Sequence, residues 1–333
     1  MKVSILAAVI LALSAFTEAL PKPKKVWPGW KGIKYFFVFG DSYTTTGFNV
    51  NLAQPNPSNP LGNPDFLGFT SSNGPNWVDF LTLTYNCSYI QTYNLAFGGA
   101  TVDSALVMPW KPTVLSLKQQ VRDEYLLAYG SHPKGVPWAS SDSLFSIFIG
   151  INDIGNSYSA KNASLYPIIF KEYEGLIKQL YNTGARNFLF LTVPPVHRSP
   201  LTLATDSASQ VLEKHAIADF NARIAHLASS LRSTHSDATV FVHDTYSLFN
   251  KVLDNPKSLP QTKGYKNTTA YCDEYANGTP EWDSFNATCG IPVDEYFWLN
   301  SLHPTYPMHN ATAATIVKLI DPKPWWWGWV WGW

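Results

Sequence analysis

Five short runs rich in β-branched and aromatic residues recur along the chain, and segments of helical period separate several of them. The runs are Ile33 to Phe39, Tyr89 to Ala96, Ser143 to Ile149, Asn187 to Val193 and Thr239 to His243. The first is apolar at nearly every position, and a strand without polar alternation is one buried on both faces, as in a parallel sheet covered by helices. Before the fourth run, Ile169, Tyr173, Leu176, Ile177 and Leu180 share one helical face, and Asn182-Thr183-Gly184 supplies a helix-ending sequence. Ile217, Phe220, Ile224, Leu227 and Leu231 repeat that spacing before the fifth run. Such alternation predicts an α/β fold, a three-layer α/β/α sandwich around a flavodoxin-like parallel sheet. At 333 residues the chain is long enough to bury one large core.

The ends read differently. Met1 to Ala19 has one Lys, an apolar run from Val3 to Leu13 and small residues at Thr17-Glu18-Ala19, the pattern of a cleaved secretory signal. Its apolar run falls well short of the ~20 residues that a membrane-spanning helix needs, so no stable membrane insertion is expected. Residues 20–32, with Pro21, Pro23 and Pro28, read as an extended leader. The main folded domain is expected over 33–321, and 322–333 is a Trp-rich tail read as an accessory outside the fold. Six Asn-x-Ser/Thr sites, at Asn86, Asn162, Asn267, Asn277, Asn286 and Asn310, fit a secreted, extracellular protein with N-glycans on an exposed late surface. Three cysteines are too few for a disulfide scaffold. Cys272 and Cys289 flank a polar loop that a bridge would close, leaving Cys87 as a buried, inert thiol. Twenty-four basic residues balance 24 acidic ones, so the chain lacks the electrostatic footprint of a nucleic-acid binder.

Ligands of an open parallel sheet bind beyond the carboxyl ends of its strands, which directs attention to three turns. Phe39-Gly40-Asp41-Ser42 ends the first run, Asn94-Leu95-Ala96-Phe97-Gly98-Gly99 the second and Gly150-Ile151-Asn152-Asp153 the third. Each tripeptide alone is ordinary turn chemistry. Their order, followed by His303 in Leu302-His303-Pro304-Thr305, is not ordinary, and with it the sequence resembles the GDSL/SGNH hydrolase superfamily. That resemblance covers Ile33 to Ile320 and implies Ser42, Gly99, Asn152 and His303 as the four block residues. The stretches FVFGDSYTTTGFN, NLAFGGATVD and FWLNSLHPTYPMHN further resemble fungal acetylesterases of carbohydrate esterase family sixteen. This narrower likeness implies deacetylation of acetylated sugars or hemicellulose oligosaccharides.

The chemistry follows from the residue types. A serine hydroxyl needs a base to attack an ester, and imidazole takes its proton and returns it to the leaving alcohol, which assigns Ser42 as nucleophile and His303 as base. The backbone N–H groups of Ser42 and Gly99 and the Asn152 amide are the expected donors to the oxyanion. The superfamily commonly has Asp three residues before the histidine, where this chain has Asn300. Three readings follow: Asn300 orients the ring as a neutral acceptor, another acid such as Asp294 reaches it, or activity is lost. Asp41 and Asp153 read as caps or Asx turns beside the motifs. No cofactor and no metal are implied, because no metal-ligand spacing or phosphate loop is found. The competing functions are a lipid esterase or lysophospholipase using the same residues and a catalytically silent sugar-binding protein. Trp110, Tyr158, Trp298 and Tyr306 are candidate stacking faces for sugars, and the Pro- and Asn-rich loop from Gly47 to Pro75 is a candidate cleft wall.

Overall fold

In the computed structural model, which describes residues 25–322, all five apolar runs become strands of one sheet. They are β1 (Tyr35–Gly40), β2 (Gln91–Asn94), β3 (Ser143–Phe148), β4 (Asn187–Leu191) and β5 (Thr239–His243). Every neighbouring pair is parallel and the order is β2-β1-β3-β4-β5, the flavodoxin-like arrangement. From β1 the chain crosses to β2 on one side, then returns over β1 to β3 on the other. The reversal opens a crevice at the carboxyl ends of β1 and β3. β1, β3 and β4 are buried along their whole length, while edge strand β5 is partly exposed.

The helices are α1 (Ile151–Gly155), α2 (Leu165–Asn182), α3 (Ser207–Thr234), α4 (Thr245–Asp254) and α5 (Tyr306–Ile320), with further helical turns at 77–84 and 117–128. α2 buries Ile169, Tyr173, Leu176, Ile177 and Leu180, and α3 buries the five apolar residues expected of it. Each such aliphatic side chain contributes about 1.5–3 kcal/mol on leaving water. Residues 117–128 share a face with α2, joined by Arg122–Glu172 at 2.9 Å and by the Tyr125 and Thr183 hydroxyls. α5 packs with 77–84 and α4, completing the third layer.

Two expectations change. Trp27 and Trp30, assigned to the leader 20–32, belong to the packed domain. Trp30 is fully buried with its indole N–H donating to Tyr85 O, and Trp27 meets Phe241 edge-on, because two large apolar rings gain more from burial than prolines lose by restricting the backbone. The late surface is also not uniformly exposed: Asn310 lies within α5, half-buried, its carbonyl accepting from the Tyr85 hydroxyl at 2.6 Å. Residues 1–19 and the tryptophans from 325 onward lie outside the described residues.

Cys272 and Cys289 are bridged over a separation of 17 residues, and Cys87 is free, with burial pushing its thiol up to about 12. Replacing both bridged cysteines with serine is expected to lower unfolding free energy by about 3 kcal/mol, read as a reduced denaturant midpoint. An unchanged midpoint would show that packing of Tyr275, Val293 and Tyr296 alone holds this loop.

Candidate active site

β1 delivers the chain into a tight turn. Asp41 Oδ1 accepts from Tyr43 N at 3.0 Å, and Asp41 O accepts from the amides of Thr44 and Thr45, so Ser42 stands at the strand end. The turn is anchored from behind by Gln120, which accepts from Gly40 N at 3.0 Å and donates to Gly40 O at 2.8 Å. Far along the chain, residues 298–304 fold back on themselves through Leu299 N to His303 O at 2.8 Å and a Trp298–Pro304 bridge. This brings His303 Nε2 to 2.7 Å from Ser42 Oγ.

Asn300 completes the line. Its Oδ1 lies 3.0 Å from His303 Nδ1 and also accepts from the amides of Leu302 and His303, while its Nδ2 donates to Ala276 O. With three donors on the oxygen, the amide can present only an acceptor to the ring. Nδ1 therefore carries the proton and Nε2 offers its lone pair to the serine hydroxyl. Burial with no nearby carboxylate lowers the His303 imidazole to about 4, so the ring is neutral across the physiological range. Asp294 does not take this place, since Nδ1 of the ring already meets Asn300 Oδ1.

The loop after β2 that carries Gly99 runs close to Ser42. Gly99 has φ +87, a left-handed conformation that a glycine adopts without strain, and a Cβ added at Gly98 would lie 3.9 Å from Ser42 Cβ. Asn152 opens α1 and donates through Nδ2 to Ala100 O at 2.9 Å, which fixes the amide and leaves its second N–H for another acceptor. Asp153 is fully buried and receives Val102 N on both oxygens, at 3.0 and 3.2 Å. It is the structural support expected of it, given as a strut between α1 and the Gly99 loop rather than as a cap or Asx turn. Burial raises both Asp41 and Asp153 to about 7.

The family model described as GDSL-like lipase/acylhydrolase matches residues 36–315, most of the chain and all of these elements. The chain belongs to this family. Over 285 residues the GDSL hydrolase is 36% identical to an acetylesterase of Thermothelomyces thermophilus, covering 85% of this chain and 87% of that one. It is 28% identical to the GDSL esterase/lipase LIP-4 of Arabidopsis thaliana, over 86% of each chain. An acetyl xylan esterase variant of Geobacillus stearothermophilus superposes with a TM-score of 0.46 at 13% identity, covering 87% of this chain and 96% of that one. The protein is a carboxylic ester hydrolase.

Of the four aromatic candidates in the GDSL hydrolase, Trp298 offers no face: it is buried and its indole N–H donates to Thr268 O. Tyr158 lines a separate cavity of about 230 Å³ with His215 and Asp219. Tyr306 packs against Trp282, which also meets Phe66 from the Gly47 to Pro75 loop. Trp110 stands exposed at Gly99. Sequence reasoning missed Tyr43, whose buried hydroxyl donates to Leu302 O at 2.6 Å and so ties the residue after the nucleophile to the residue before the base. An aromatic directly after Gly-Asp-Ser was the one available clue. Gln120 gave none.

Proposed function

We propose that this hydrolase removes acetyl groups from carbohydrate esters through an acyl-enzyme on Ser42, with His303 as general base, Asn300 as its neutral orienter, and Ser42 N, Gly99 N and Asn152 Nδ2 as the oxyanion donors. The observation that carries the reading is the relay from Ser42 Oγ to His303 Nε2, 2.7 Å, and from Nδ1 to Asn300 Oδ1, 3.0 Å. Ser42 attacks the ester carbonyl as its proton passes to Nε2. The tetrahedral oxyanion is met by donors already fixed in place, which avoids reorganising them during the reaction. Collapse passes the proton from Nε2 to the departing sugar hydroxyl. Water then repeats the sequence on the acyl-serine and releases acetate. The acetylesterase relative supports acetyl as the acyl group. Cavities of about 700 and 230 Å³ among the described residues are lined by neither Ser42 nor His303.

Secretion belongs to the same reading. It rests on the Met1 to Ala19 pattern, the six sequons and the Cys272–Cys289 bridge, a bond that persists in oxidising compartments. Among the described residues no helix is long and apolar enough to cross a membrane. The domain is taken to run to 321, with 322–333 as an appended tail.

The neutral orienter makes the pH profile a direct test. The base works while unprotonated, so kcat/KM for an acetyl ester is expected to hold from neutral down to about pH 5 and to fall through an apparent pKa of about 4. Asn300→Asp puts a carboxylate against Nδ1, stabilises the imidazolium and moves that acid limb upward by about one unit or more. A wild-type limb near the ordinary histidine value, unmoved by Asn300→Asp, would remove Asn300 from the relay.

A further inference from the structure

We propose that loop 101–114 carries a sugar subsite in which Trp110 is the platform for the pyranose ring of the acetylated substrate. The proposal rests on the carbohydrate-ester reading and names the residue that gives it specificity. Trp110 is 70% exposed and Met108 79%, an unusual pairing of large apolar side chains in open solvent. Trp110 stands at Gly99. The Cβ that Gly99 lacks would lie only 2.5 Å from Trp110 Cδ1 and Nε1, so the indole occupies the space that Gly99 leaves vacant.

The loop is exposed yet held. Thr101 Oγ1 donates to Val107 O at 2.9 Å, and Asp103 O accepts from the amides of Leu106 and Val107. The Asp103 carboxylate receives Ala105 N at 3.0 Å and Lys118 Nζ at 2.8 Å. Asn156, one turn beyond Asn152, donates to Met108 O at 3.1 Å and fastens the loop to the end of α1. An aromatic fixed before binding loses little conformational freedom on binding, and this is what makes a rigid ring a good platform. Lys111 Nζ lies 4.2 Å from the Trp110 ring centroid and occupies one face. The Cδ1–Nε1 edge is turned to Gly99, and the opposite face remains.

That geometry selects a ligand class. A fatty acyl chain requires walls on several sides, whereas a single open indole face suits a flat ring with apolar C–H groups below and hydroxyls at its perimeter. A pyranose has that form. Gly99 is the near edge of the platform, so a ring lying on Trp110 places its acetyl ester beside Ser42.

The test compares two substrates in the full-length protein and its Trp110→Ala and Trp110→Phe variants: a mono-acetylated methyl xylopyranoside and ethyl acetate, which has no ring. The readout is the ratio of kcat/KM for the xyloside to kcat/KM for ethyl acetate. Trp110→Ala is expected to lower this ratio about fivefold to tenfold, mainly through the xyloside KM, and Trp110→Phe to restore most of it. The same ratio in wild type and Trp110→Ala, with the wild type active on the xyloside, would overturn the subsite and leave the carbohydrate reading standing. A wild type that cleaves ethyl acetate and releases nothing from the acetylated xyloside would overturn both.

Discussion

Ser42→Ala is expected to reduce the hydrolysis of acetyl esters by about 10⁴-fold or more while leaving the thermal unfolding curve in place. Ser42 is half-buried and its Oγ meets only His303 Nε2 across the site, so removing the hydroxyl takes away one hydrogen bond and no packing of consequence. The chemical loss is far larger, because among the described residues no other hydroxyl or thiol hydrogen-bonds that imidazole and Cys87 is a protonated thiol that lines a cavity without Ser42 or His303. The weak hydrolysis that survives comes from the oxyanion donors acting on bound ester and water. Labelling by a fluorophosphonate should disappear in the same variant. Activity within tenfold of wild type would end the assignment of Ser42.

Asn152→Ala should lower kcat by about 10²- to 10³-fold with KM changed only a few-fold, equivalent to about 3 kcal/mol of barrier. In the proposed role the Nδ2 donor meets a charge that exists fully only in the tetrahedral state, so its loss is expected to fall on the chemical step rather than on binding. The amide also holds Ala100 O at 2.9 Å, and that bond contributes about 1 kcal/mol to stability. The two effects separate in measurement: melting temperature reports the second, single-turnover acylation the first. A variant with normal kcat and raised KM would mean that Asn152 merely braces the Gly99 loop.

Much of this architecture could be read from the sequence because burial on both sheet faces writes itself as uninterrupted apolar runs. The five strands and the buried faces of α2 and α3 follow from that. The site was legible for a different reason: Ser42, Gly99, Asn152 and His303 sit at strand ends or in late loops, where polar residues interrupt the apolar pattern. What stayed hidden depends on partners distant in the chain. Trp110 and Trp298 look alike in sequence, yet one is exposed beside Gly99 and the other is buried under Thr268 O. Asp153 looks like a cap until Val102 N is found on its carboxylate. Asn300 could be placed by its spacing to His303, but its orientation is set by Ala276 O and two backbone amides.

The Tyr43 hydroxyl reaches Leu302 O across 259 positions of chain. Serine and imidazole therefore ride on opposite ends of the hydrolase domain and become a reactive pair only once the closing segment has docked against the completed sheet. A half-assembled polypeptide carries a chemically quiet alcohol. Hydrolytic competence thus needs both ends of the domain in place, and turnover itself reports that they have met.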